Sequence, residues 1–460
     1  VEADPGLDRR SSMKKLIPLL HVCKATETER MVTPANRMSL SAHNEDSFHG
    51  GLLMRRSSIT ALMLFACLMS VAWAQQTGVP RFSKHPIPGH RNWIGIPNKS
   101  DTTSRPSAGT EMAAVHHTRV WDLGTYPGGT WAEMGGVNDF GVAVAQGDTN
   151  SDSETHLFTI QLLSPHGPAW SDLGALNAYL GWFDWPSIAD TGLVVGHAAT
   201  SDGTIHGFLW KSKSPIDLGT LADIGDTSYN NSDATIINKL GTLIAGYSWS
   251  SETGAQLPVV WRLDARTRTW KIHQLDTLEF PYGFALGVND FGQVAGAFYN
   301  DDGIYVGAVW NFLPSGNEWK AIQLPVSPDW PAAIAGDMNE KGEIVGDVLS
   351  LDWVYGYSSL WQPVDPMRQK YKLTLLPNYW GLPNGDTAEG INDYGDIVGG
   401  SWDQTLTPYA AQWSTKNTSF VQLLGFPGDF STAYKVSDNR IVTGMYGIDD
   451  TEHAYAVQLP

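Results

Sequence analysis

Cysteine is almost missing from this chain: there are two among 460 residues, Cys23 and Cys67. None occurs beyond residue 67, so whatever folds downstream is held by packing rather than by disulfides. Basic residues are also scarce. The 30 Lys and Arg stand against 48 Asp and Glu, a net charge of −18. That balance excludes sequence-independent binding to DNA or RNA, which needs a cationic surface to displace counterions. Only 17% of residues are charged, which suits short strands and tight turns better than long amphipathic helices. C-x-x-C, H-E-x-x-H, G-x-S-x-G, P-loop and G-x-G-x-x-G patterns are all missing beyond residue 74. The usual zinc, hydrolase and nucleotide signatures are thereby removed, and the reading leans away from an enzyme.

What the chain does have begins with a composite N-terminus. Met54-Arg55-Arg56 opens a positive region, Ile59 to Trp73 is nearly all apolar, and Ala72-Trp73-Ala74 gives a small-x-small cleavage site. Residues 54–74 therefore read as a secretory signal peptide, too short to span a bilayer comfortably. Residues 1–53 then read as a non-native upstream extension, and the secreted product is expected to begin at Gln75 with no stable membrane insertion. Residues 75–118 carry Pro80, Pro86, Pro88, Pro97 and Pro106 without a period of 2 or 3.6, as a linker or N-terminal arm does.

From residue 119 onward one pattern recurs. Gly136 to Gly141, Gly287 to Gly292 and Gly390 to Gly395 are close copies of G-V-N-D-F-G, and four weaker copies bring the total to seven. Positions equivalent to the asparagine are 138, 189, 238, 289, 339, 392 and 437, spaced by 45 to 53 residues. Each copy reads as four strands: an apolar strand a, the Asn-Asp-x-Gly turn, a β-branched strand b, a polar loop, strand c and a hairpin into strand d. Four strands in about 50 residues make one propeller blade. The seventh copy stops after strand c, while a spare d-like strand, Arg119 to Gly124, precedes the first. The expected fold is all-β: a seven-bladed β-propeller over 119–460, its ring closed by the N-terminal strand completing the last blade.

These units resemble the bacterial HAF-type extracellular repeats, which carry D-L-G-T-L, I-N-x-x-G-x-I-V-G and H-A-F-L-W. Here the matching segments are Asp217 to Leu221, Gly390 to Gly399 and His206 to Trp210. The histidine survives only as His156, His206 and His453, so the middle blades depart from the pattern. The resemblance implies a bacterial protein that is secreted, extracellular or periplasmic, and it transfers no catalytic residue.

Blade connectivity places d–a and b–c loops at one end, and a–b turns and c–d hairpins at the other. Of 15 Lys and Arg beyond residue 119, eleven lie in or beside c–d hairpins and three in a–b turns; the d–a and b–c loops hold none. Those loops carry acidic residues and aromatics instead: Trp131, Trp182, Trp185, Tyr229, Tyr282, Trp330, Tyr379 and Trp380. Flat apolar rings beside Asp, Asn and Gly suit a sugar ring and its hydroxyls. The leading expectation is a monomeric secreted module for neutral polysaccharide or glycan. A propeller glycoside hydrolase or lyase and an extracellular protein-interaction scaffold are the alternatives. Asp148, Asn150 and Asp152 place oxygens at alternate positions, as calcium loops do, but lack the glycine and terminal acid of such loops. They read first as a polar hairpin tip and second as a calcium site; no other cofactor is expected.

Overall fold

The computed structural model describes residues 119–149, 154–176, 186–211, 213–300, 302–351, 355–382, 386–448 and 451–460. It shows seven four-stranded antiparallel sheets arranged as a β-propeller. Blade 1 runs through Ala132–Val137, Val142–Asp148, Thr155–Gln161 and Ala169–Ala175 as strands a to d. Blades 2 to 6 occupy 187–217, 231–274, 282–323, 332–375 and 387–423. Blade 7 joins Phe430–Val436, Ile441–Ile448 and Thr451–Gln458 to the N-terminal strand Arg119–Gly124. The expected ring closure is observed: Arg119 pairs with Gln458, Trp121 with Ala456 and Gly124 with Ala454. No helix among the described residues is long and apolar enough to cross a membrane.

The repeat motif has a local cause at each position. The asparagine side-chain oxygen accepts amides of its own turn, as Asn392 does from Asp396 N at 2.9 Å. The turn glycine adopts the left-handed conformation, φ +67 to +83 across blades 1 to 6, and in blade 7 Arg440 takes the same conformation. Strand a then carries a β-bulge three residues before the asparagine position, for example between Ala335 and Asp337. The bulge presses a strand-a carbonyl onto strand b. A Cβ on Gly346 would lie 2.1 Å from Ile334 O, and one on Gly399 would lie 1.9 Å from Thr387 O. Only glycine fits at these two positions; blade 1, where the register shift spans an extra residue, carries Ala145 at the equivalent place.

Packing between blades completes the core. The strand-c tryptophans Trp261, Trp310, Trp361 and Trp413 are fully buried. Three of them reach the preceding blade: Trp310 Nε1 donates to Asp276 O at 2.7 Å, and Trp361 and Trp413 donate to Pro325 O and Pro377 O, each at 2.8 Å. Adjacent a strands contact one another around the ring, so they line the axis, and strand d is the outer edge of each blade. Two of the repeated histidines make one shared contact: His156 and His206 place Nδ1 3.1 and 2.9 Å from Asp172 and Asp217, the aspartates of D-L-G. His453 does not. In blade 7 Tyr446 donates to Asp122 at 3.0 Å, and His453 stacks on Tyr446 at 5.0 Å.

Candidate ligand-binding face

Strands a and c run the same way in every blade, so the d–a and b–c loops meet at one end of the ring. Of the expected aromatics, Trp131, Tyr229, Tyr282, Trp330, Tyr379 and Trp380 are described, and they lie at this end of blades 1, 3, 4, 5 and 6. Trp182, Trp185, Asn150 and Asp152 lie outside the described residues. Asp148 ties its b–c loop to the facing d–a loop: it accepts from Thr130 N at 2.6 Å, Thr130 Oγ1 at 2.7 Å and Trp131 N at 3.0 Å. Burial alone would raise its carboxyl, but these bonds outweigh burial and hold it below its ordinary value. Its oxygens are thereby committed to positioning half-buried Trp131. Among the described residues, no three His, Cys, Asp or Glu side chains converge as cation ligands do.

The remaining rings differ in how they are held. Tyr229 is half-buried against the core between blades 2 and 3, and its hydroxyl is pushed up by burial and by the Asp226 charge. Tyr282 stacks on Tyr299 at 5.0 Å, and Trp330 meets Tyr357 edge-to-face at 5.1 Å. Each of these three leans on its own or an adjoining blade. Trp380 likewise packs, half-buried, on the core between blades 5 and 6, 5.4 Å from Tyr409, and Tyr379 meets it edge-to-face at 5.1 Å from outside.

A buried polar network presents that pair. Asn378 Nδ2 donates to Asp386 at 2.6 Å and to Trp402 O at 3.0 Å, while its Oδ1 accepts from Trp380 N at 2.7 Å and Leu382 N at 3.0 Å. Tyr379 N donates to Ser401 Oγ at 3.1 Å. Burial pushes the Asp386 carboxyl up to about 6 despite the bonds it accepts. Residues 378–382 are thus held from beneath, and Tyr379 remains 41% exposed above them.

The sequence reading missed a second set of groups on strands a, b and c at this same end. Glu133 accepts from Tyr434 OH at 3.0 Å and from Gln146 Nε2 at 3.2 Å. Burial, then repulsion from Glu133, pushes Glu452 up to about 7. Asp347 is raised well above its ordinary value by burial and by the Glu389 charge. Across the ring, His197 Nδ1 lies 2.9 Å from Asp233, which also accepts from Tyr247 OH at 3.2 Å. A signal was present: Glu133 and Asp233 occupy a strand-a position where blades 4 and 5 have Phe284 and Ile334.

No protein-family profile and no curated sequence matches the chain. Solved structures give matches at low identity. The β-propeller domain of the Trilobed protease from Pyrococcus furiosus superposes with a TM-score of 0.47 at 7% identity, covering 72% of this chain and 94% of that one. Prolyl oligopeptidase B from Galerina marginata gives 0.42 at 10% identity, covering 69% of this chain and 46% of its own. A putative TolB from Agrobacterium tumefaciens gives 0.39 at 13%, covering 64% and 94%.

Proposed function

We propose that the protein is a secreted binding module whose d–a and b–c face takes neutral polysaccharide. The observation that carries this reading is the Tyr379–Trp380 pair, a rigid aromatic platform on a loop pinned by Asn378, Asp386 and Ser401. Prior fixation lowers the ordering cost of binding, and the flat rings offer the apolar surface that a pyranose face requires. The surrounding loops contain no Lys or Arg, which favours an uncharged ligand. A glycan array on the purified protein, followed by calorimetry, tests the reading. Trp380→Ala should weaken binding by about 1–3 kcal/mol, the range of an aromatic anchor, with little dependence on salt. Arrays blank for every neutral glycan, or a Trp380→Ala protein that binds normally, would refute it.

One observation favours a second reading, glycoside hydrolysis at the same end. Glu452, raised to about 7 by burial and by Glu133, would serve as the general acid, and Glu133 as the second carboxylate that such chemistry needs. New reducing ends released from a bound glycan, and lost in Glu452→Gln, would select this reading over simple binding.

A further inference from the structure

The opposite face is built differently. The residue two positions after the repeat asparagine sits at the tip of each a–b turn, where nothing in the turn calls for an apolar side chain. Yet Phe140, Leu240, Phe291 and Tyr394, from blades 1, 3, 4 and 6, occupy that position and are 54 to 68% exposed. Met367 and Val364, in the neighbouring c–d hairpin of blade 5, are 70 and 60% exposed. Isolated apolar side chains on a surface are ordinary, but repetition at four of the seven turn positions makes a collar around this end of the ring, interrupted by Thr191, Lys341 and Asn439.

Charge is ordered around that collar. Inside it lie the half-buried carboxylates of the a–b turns, with side chains of Asp139, Asp393 and Asp438 only 24 to 27% exposed and gathered on Lys239. Outside it stand the cationic c–d hairpins with Arg266, Arg268 and Lys271. Collar and rim touch: the Arg368 guanidinium lies 4.9 Å from the Phe291 ring centroid. An apolar surface bordered by cations complements apolar side chains set among carboxylates. An anionic membrane fits less well, because the central carboxylates would face its headgroups. A second copy docked through the same face fits less well too, because cationic rim would meet cationic rim.

We propose that the a–b and c–d face is a docking surface for an acidic protein segment that carries aromatic or aliphatic anchors. The apolar anchors would seat on the Phe140–Phe291 collar and the flanking carboxylates on the basic hairpins. This surface is separate from the glycan face and does not rest on that reading.

The test uses the full chain with synthetic peptides, one set with Trp and Leu flanked by Asp and Glu, the other with the same residues flanked by Lys. Fluorescence anisotropy should show binding of the acidic set only, weakening as salt rises. Phe140→Ser with Phe291→Ser should reduce affinity about tenfold or more. Arg266→Glu with Arg268→Glu should do the same by reversing charge without touching the collar, which guards against misfolding of the first variant. Trp380→Ala should leave peptide binding unchanged, and both double variants should leave glycan binding unchanged. The proposal is overturned if neither peptide set binds, if the Lys-flanked set binds equally, or if both variants bind like the parent. It is equally overturned if the collar substitutions instead abolish binding to phosphatidylglycerol vesicles or self-association of the protein.

Discussion

The Asp438 backbone amide donates to the Asp139 carboxylate at 2.6 Å, joining the seventh blade to the first. The same link recurs around the ring. Asp139 N donates to Asp190 at 2.9 Å, Leu240 N to Asp290 at 3.1 Å, and Asp290 N to Glu340 at 3.0 Å. Glu340 N and Asp393 N continue to Asp393 and Asp438, both at 2.8 Å. The remaining step is backbone to backbone, Asp190 N to Lys239 O at 3.0 Å. A second strand of the belt runs inside it, with Asn289 Nδ2 donating to Asn339 O at 3.2 Å and Asn339 Nδ2 to Asn392 O at 3.0 Å. The Asn-Asp pair is therefore both turn chemistry and a circular tie between blades.

Lys239 is the counter-ion of this belt. Its Nζ lies 2.9 Å from Asp393 and 3.7 Å from Asp139, and it also donates to Asp438. Lys239→Met should destabilise the protein by about 1–2 kcal/mol, between the ranges for exposed and buried ion pairs. Asp139 and Asp438 are already raised by burial even with Lys239 nearby, and without it they should rise further. An acid with a raised folded-state pKa contributes stability below its unfolded value and loses it as pH rises. The melting gap between variant and parent should therefore narrow on acidification, as calorimetry at several pH values can check.

Glu340 gives a separate pH signature. Burial first, then the charges of Asp290 and Asp393, pushes it up to about 7. Because its folded pKa lies above the ordinary 4.5, its contribution favours folding below that value and is lost as pH rises through about 7. Glu340→Gln keeps an acceptor for Asp290 N while removing the charge. It should raise the melting temperature at pH 8 and leave it nearly unchanged at pH 4; an equal shift at both would count against the assignment.

Blade number and ring closure were legible because they rest on spacing: seven asparagine positions and one displaced strand leave a single arrangement that hides both edges. The belt was not legible, because an aspartate capping its own turn and one capping the preceding blade's turn give the same local sequence. The aromatics after strand d show a similar limit. Tyr282 turns out to be the first residue of strand a and stacks on its pairing partner Tyr299, whereas Tyr379 lies in the loop before strand a and stays exposed beside Trp380. His453 departs from its repeat because Tyr446 takes the aspartate that the other histidines use.

Ring closure predicts a sharp dependence on the N-terminal strand. Trp121 is buried in the core shared by blades 7 and 1, and its loss alone is worth about 3–5 kcal/mol. A chain beginning after Gly124 should also expose the edge of Thr451–Gln458 for intermolecular pairing. It should aggregate or melt well below a chain beginning at Val115. Equal melting temperatures would show that the pairing contributes nothing.

Gly399 tests the bulge. An alanine Cβ there would sit 1.9 Å from Thr387 O and 2.9 Å from its carbonyl carbon, contacts that only backbone movement relieves. Gly399→Ala should cost about 1–3 kcal/mol, as overpacking of a tight interior does. Gly203, with positive φ but open space around its Cβ position, should cost about 1 kcal/mol through backbone strain alone. Denaturant midpoints for the two variants should fall in that order.

The strand-c tryptophans allow the inter-blade bond to be separated from packing. Trp261 and Trp310 are both fully buried, but Trp310 Nε1 donates to Asp276 O at 2.7 Å while Trp261 Nε1 finds no hydrogen-bond partner among the described residues. The difference has a local origin: the chain before blade 3 enters through the short 3-10 turn Leu221–Ile224, and Gly219 O accepts from Ser232 instead. Replacing either tryptophan by phenylalanine removes similar volume from a closed interior. Only Trp310→Phe also leaves a half-buried carbonyl without its donor, which costs up to about 1–3 kcal/mol in addition. Urea unfolding should therefore show Trp310→Phe as the more destabilised variant by roughly that margin. Equal losses would mean that packing alone, and not the bond to the preceding blade, sets the value of this repeated residue.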